Sequence, residues 1–194
     1  RLLNKLLILK NLRTFYIQRK ISESANLHSL NGMFAGNSYI NEIDISAFKC
    51  DDITDAAFML AFCEALIDLE IPSTLTDNLT SADGMFFGAA FNYFYFGFSQ
   101  INGSNVTFQH KTLTFTSNHA FNKLIKASGV FSYCGYDLSF GDNSFALYTT
   151  QSDGWISSFA PALIQASSAK NITFGANAFQ FLTDAETLFS FCHN

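Results

Sequence analysis

The sequence predicts an α/β repeat solenoid: about six stacked strand-plus-helix coils behind an N-terminal helical cap. Three observations predict it. One short apolar segment recurs six times, as "MFAGN" at 33–37, "MLAFC" at 59–63, "MFFGA" at 85–89, "VFSYC" at 130–134, "SFAPA" at 158–162 and "LFSFC" at 188–192. The starts lie 26, 26, 45, 28 and 30 residues apart, a spacing too regular for chance. Between the copies run short alternating stretches, and the chain holds 23 Phe against two Pro and one Trp, as if one packing position were filled many times.

The cap comes first. Six of the eleven basic residues (Arg1, Lys5, Lys10, Arg13, Arg19, Lys20) fall in the first twenty positions, and no acid precedes Glu23. Residues 1–28 are therefore assigned to a basic helical cap or linker, with the Leu-rich stretch 2–17 closing the stack, and residues 29–194 to the solenoid. The remaining chain carries five basic and sixteen acidic residues, a balance of −11. Contact with nucleic acid or anionic lipid is expected only through the basic start, where a solvated helix face is the favoured reading. No apolar run reaches the ~18 residues that span a bilayer, and no small-residue cleavage site follows "LLNKLLILKNL".

The apolar copies carry helix signals. Thr54-Asp55, Thr80-Ser81 and Thr183-Asp184 open three of them, and Thr183 with Glu186 has the spacing of a capping box. In "ITDAAFMLAFCEAL", Ile53, Ala57, Leu60, Ala61 and Ala65 fall on one helical stripe.

Strands are expected next in each coil. "INEIDIS", "LIDLEIP", "YFGF", "LTF", "LSF" and "ITF" alternate at period two, which sends one side chain inward and the next to solvent. Counting +3, +6 and +8 from Asn37 gives Ile40, Ile43 and Ile45. From Cys63 the same offsets give Leu66, Leu69 and Ile71, and from Ala90 they give Tyr93, Phe96 and Phe98. The turn "FG-N-F" closes the coil: Gly141 and Gly175 are expected at positive φ, with Phe121, Phe145 and Phe179 forming a spine. The 45-residue spacing implies an insertion or a degenerate extra coil around 101–110.

The "MF…C" segment, the alternating strand and the "FG-N-F" turn together resemble BspA-like leucine-rich repeats, a family of surface and adhesin proteins. The residues that carry the likeness are Met33-Phe34, Leu60 to Cys63, Met85-Phe86, Phe131 to Cys134 and Phe189 to Cys192, with the stretches 138–145 and 172–179. The resemblance covers roughly residues 29–194. It implies a leucine-rich-repeat-like stack and a protein or surface ligand at the cell surface or outside the cell. It transfers no ligand, because fold does not carry function.

Chemistry-bearing motifs are scarce. No HExxH, CxxC, GxSxG, Walker loop or GxGxxG occurs, and His28, His110, His119 and His193 have no partner at zinc spacing. No catalytic residue, metal site or cofactor is assigned. Asp51, Asp52 and Asp55 lack the spacing and glycine of an EF-hand, so capping of the following helix by Asp51 or Asp52 is preferred. Cys63, Cys134 and Cys192 share one slot of the repeat, filled by Asn37 in the first copy. At roughly 4.8 Å per rung they stand about 10 Å apart, beyond the ~7 Å limit for a disulfide, so all four cysteines are expected as free thiols. The sequons at Asn78, Asn102, Asn105 and Asn171 are given little weight in an Asn- and Ser/Thr-rich chain.

The expected working surface is the outward row of the strands: Glu42, Asp44, Ser46, Asp68, Glu70, Tyr95, Thr114, Ser139 and Thr173. It passes from acidic to hydroxyl-bearing, the acidic half suiting a basic partner, and solenoids use such faces for binding. The expected function is non-catalytic adhesin-type binding. The alternative is a structural subunit of a filament, coat or virion, inside or outside a cell, packing through its ends. For that reading Phe189 and Phe191 mark the assembly end, where self-association or continuation of the chain would cover the last coil.

Overall fold

A computed structural model describes residues 14–16, 28–90, 112–146, 164–165, 171–182 and 189–190. Its hydrogen bonding follows from how the apolar segments dispose of their backbone N–H groups. In the first coil Leu30, Gly32, Phe34 and Gly36 donate to the carbonyls of Asp55, Ala57, Met59 and Ala61 in the second, at 2.8–2.9 Å. The intervening Met33, Ala35 and Asn37 donate three residues back, to Leu30, Gly32 and Phe34. Ala56, Phe58, Leu60 and Phe62 then bond to Ser81, Asp83, Met85 and Phe87, while Ala82, Gly84, Phe86 and Gly88 bond to Lys126, Ser128, Val130 and Ser132. Each segment is thus a rung of consecutive turns, joined to the next rung through every second residue.

This corrects the strand-plus-helix coil. No helix occurs among the described residues, and the helical cap fails where it can be inspected, since Thr14–Tyr16 is a strand. An α-helix needs each N–H to reach the carbonyl four residues back; here alternate N–H groups leave the coil altogether. Left-handed residues at four-residue spacing enforce the departure: Gly32 and Gly36, Phe58 and Phe62, Gly84 and Gly88, Gly129 and Tyr133. Glycine takes this conformation freely, whereas Phe58, Phe62 and Tyr133 each cost roughly 1–2 kcal/mol. Burial had concealed the difference, because Ile53, Ala57, Leu60 and Ala61 are buried in either arrangement, with Ala65 half-buried.

Eight short strands complete the coils: β1 (Thr14–Tyr16), β2 (Glu42–Asp44), β3 (Asp68–Glu70), β4 (Thr112–Phe115), β5 (Asp137–Phe140), β6 (Ile164–Gln165), β7 (Ile172–Phe174) and β8 (Phe189–Ser190). All pairings are parallel, in the orders β1-β2-β3, β4-β5-β7 and β6-β8. β1 therefore continues the sheet of the following coil. Corners repeat as well. Thr54 and Asp55 both donate to the His28 carbonyl, Thr80 and Ser81 to that of Thr54, and Ile125 and Lys126 to that of Thr80.

The third rung bonds directly to the fourth, and Phe86 stacks on Phe131 at 5.1 Å. No rung is therefore inserted between these two, and the third coil takes its described strand from β4; the stretch 101–110 lies outside the described residues. The "YFGF" stretch and the capping box at Thr183 lie outside the described residues.

Phenylalanine fills the interior in columns. Phe115, Phe140 and Phe174 stack at 5.0 Å, and Phe121, Phe145 and Phe179 at 5.0 and 4.9 Å, with planes within 8° of parallel. The two columns meet edge to face, Phe140 lying 5.2 Å from Phe145. Neither Gly141 nor Gly175 has a left-handed φ. They are needed for close approach: a Cβ on Gly141 would lie 2.7 Å from the Ser117 carbonyl oxygen, and one on Gly175 2.5 Å from the Asp142 nitrogen.

Candidate functional site

Parallel pairing without stagger sets the geometry of the strand face. Ile43 lies opposite Leu69, turned toward the core, so their flanking residues face outward in register. Glu42 is beside Asp68, and Asp44 beside Glu70. Thr14 and Tyr16 of β1 stand next to Glu42 and Asp44. Adjacent strands are about 4.8 Å apart, so four carboxylates form a compact block. Asp68 and Glu70 are exposed, and Glu42 and Asp44 half-buried.

Ser46 extends the block and anchors one corner. Its hydroxyl and its N–H donate to Asp44 Oδ1 at 2.7 and 3.0 Å. These bonds, the hydroxyl first, hold the Asp44 carboxyl below the usual carboxylate range. Like charges at that strand spacing repel by about 1 kcal/mol per neighbouring pair in a water-like dielectric. A cation laid across the block relieves that repulsion.

The hydroxyl half is assembled by the second sheet, where Thr114, Ser139 and Thr173 are aligned across β4, β5 and β7. Beside them Asp137, only 7% exposed, accepts the N–H and side-chain amide of Asn171 at 3.1 and 3.2 Å. Acidic and hydroxyl residues thus sit on separate sheets, because no ladder joins β3 to β4 among the described residues. Tyr95 lies outside the described residues, as does Phe191; Phe189 is in β8, paired with Ile164.

A polar corner escaped the sequence reading. Asp55 Oδ2 accepts from Ser29 Oγ at 3.0 Å and Asn31 Nδ2 at 3.2 Å, and its Oδ1 accepts the Ala57 N–H at 3.0 Å. It caps a turn rather than a helix. One rung on, Asp83 Oδ1 accepts the Ser128 N–H at 2.8 Å across the third junction. Burial raises the Asp83 carboxyl above its ordinary range and Asp55 adds to this; the Ser128 bond and the Lys126 charge oppose it. The available signal was an acid in two successive copies, in "TDAA" at 54–57 and in "SADG" at 81–84, two repeat positions apart. Among the described residues no group of three His, Cys, Asp or Glu side chains is arranged for a metal ion.

Cys50, Cys63 and Cys134 are buried free thiols; Cys192 lies outside the described residues. Burial is the main cause that pushes all three thiols up to about 12. Cys63 donates to the Phe34 carbonyl at 3.1 Å. Thiolate chemistry needs the ionised form, so these side chains act as packing groups near neutral pH. No helix among the described residues is long and apolar enough to cross a membrane. Comparison with protein-family models, curated proteins and solved structures finds no match for this chain.

Proposed function

We propose that the protein is a non-catalytic binding module whose working surface is the outward face of β2 and β3, recognising a basic segment of a partner protein or surface. The observation that carries this reading is the register that sets Glu42 against Asp68 and Asp44 against Glu70. Binding requires no movement of the strands, and it exchanges carboxylate repulsion for attraction. Charge on such a surface contributes specificity and association rate more than affinity. A cell-surface or extracellular setting accompanies this reading.

The test is fluorescence anisotropy with a labelled ten-lysine peptide. Replacing Glu42 and Glu70 together by Gln should weaken binding about tenfold, from roughly 0.5–1 kcal/mol per charge removed. Replacing the exposed Asp51 and Asp52 by Asn changes net charge equally and should leave the affinity nearly unchanged. Equal losses from both pairs would reduce the effect to bulk charge and sink the proposal.

A second reading, a structural subunit of a larger assembly, is favoured by the ring of Phe181, which is 55% exposed. Light scattering over a dilution series separates the two: mass that grows with concentration selects assembly.

A further inference from the structure

The polar corner brings two carboxyl groups and one ammonium group together from successive coils. Parallel bridges align Ser29, Asp55, Ser81 and Lys126 in one row across the first four coils. Asp83 stands two residues beyond Ser81. Its carbonyl accepts the Phe58 N–H and its Oδ1 the Ser128 N–H, both at 2.8 Å. One residue of the third coil thus bonds to the second and to the fourth. The two acids are served unequally. Three donors stabilise charge on Asp55: Ser29 Oγ, Asn31 Nδ2 and the Ala57 N–H. Asp83 has one, a neutral backbone N–H, and no donor or ion-pair partner meets its Oδ2. Asp83 is also half-buried. Burial disfavours the charged form of a carboxyl, and a like charge nearby disfavours it further.

We propose that Asp83 Oδ2 is a proton-binding site that couples the stack to acidity: on mild acidification it takes up one proton, and the folded chain gains stability at the junction of the third and fourth rungs. Oδ2 receives the proton because Oδ1 is engaged with Ser128. The neutral carboxyl still accepts that N–H through Oδ1, so the bond between the coils is kept. Asp55 of the second coil and Lys126 of the fourth are the charged side chains that act on the site, and they act in opposite senses. Burial is the largest influence and holds the Asp83 carboxyl above its ordinary range. In the unfolded chain an aspartate titrates at about 4. Near neutral pH both states are ionised, and the fold bears the cost of the half-buried charge. As the pH falls through the raised folded value, the fold takes its proton first and that cost disappears; the gain is complete below the unfolded value. Asp44 works in the opposite sense, since its bonds to Ser46 hold it below the ordinary range and acid removes their benefit. None of the corner's members belongs to the acidic strand face, so the site stands whether or not that face binds a basic partner.

Side-chain carboxyl ¹³C shifts of the full-length protein, followed against pH, read the site directly, and sequential assignment identifies the Asp83 signal without a variant. Its midpoint should lie above the ordinary aspartate value of about 4. Thermal melts supply the second measurement. Asn carries no charge and keeps an oxygen for the Ser128 N–H, so Asp83→Asn should melt about 2 °C above the parent near neutral pH. The gap should close as the pH is lowered to about 4, where the parent holds its own proton. Asp51→Asn changes the net charge equally at an exposed position and should open no such gap. An Asp83 midpoint at or below the ordinary value would overturn the proposal. So would an Asp83→Asn melt no higher than that of Asp51→Asn near neutral pH, or a gap that stays the same in acid.

Discussion

Replacing Phe140 by Ala is expected to remove about 3–5 kcal/mol of stability, a large share of what holds a single domain folded. The Phe140 ring is only 4% exposed and lies between Phe115 and Phe174, each at 5.0 Å. Its edges meet Phe131 at 5.6 Å and Phe145 at 5.2 Å. Truncation therefore opens a void that touches both ring columns and three successive coils, and interior rings have little freedom to close it. Urea denaturation followed by intrinsic fluorescence measures the loss. Phe181→Ala is the internal control: at 55% exposure that ring lies outside the columns, and its removal should cost under about 0.5 kcal/mol. Similar losses for the two variants would mean that the columns do not hold the stack together.

Gly135→Ala should cost about 2–3 kcal/mol, near the upper end for overpacking by one methyl group. A Cβ at Gly135 would collide with the Ala90 carbonyl oxygen and lie 2.8 Å from its carbon. Both obstacles are backbone, so no side-chain rotation relieves them. The Gly135 N–H is also committed to the Ala89 carbonyl at 3.0 Å, which ties the third coil to the fourth at this point. Gly32→Ala provides the contrast. It meets nothing within 4 Å, but it must hold a φ of +63°, so its cost is conformational and about 1 kcal/mol. Thermal melts of the two variants should rank Gly135→Ala as the more damaging. The reverse order would place the tight approach somewhere else in the stack.

These two sites also mark where sequence and structure part company. Alternation along "INEIDIS" and "LIDLEIP" was enough to place Ile43 and Leu69 inward at matching offsets, because a period of two admits few registers. The recurrence of Phe121, Phe145 and Phe179 likewise predicted their column. The rungs were misread as helices for a physical reason. Turns that bond three residues back bury nearly the same positions as a helix, so Ile53, Ala57, Leu60 and Ala61 fit both. What distinguishes the two is backbone hand, and only glycine displays that in a sequence. Gly32, Gly36, Gly84 and Gly88 carried the signal, but the second rung hides it by placing Phe58 and Phe62 at those positions.

Gly141 and Gly175 misled in the opposite way. A glycine after a strand reads as a positive φ, yet both are required by a neighbouring backbone. Among the described residues the outward face falls into two sheets, since the third coil's described strand begins at Thr112. The corner around Asp55 and Asp83 was missed since its members come from four coils, and only the corner bonds bring them together.

The alternating rung is the claim on which the architecture described here depends. Couplings transmitted through hydrogen bonds, from amide nitrogen to acceptor carbonyl carbon, test it most directly. The structure requires such couplings from Phe34 to Met59 and from Leu60 to Met85, each joining two coils. Observing both would establish rungs that bond outward through every second residue. Couplings from Phe34 to Leu30 and from Leu60 to Ala56 would instead indicate bonds four residues back, restore the helix and contradict the architecture described here.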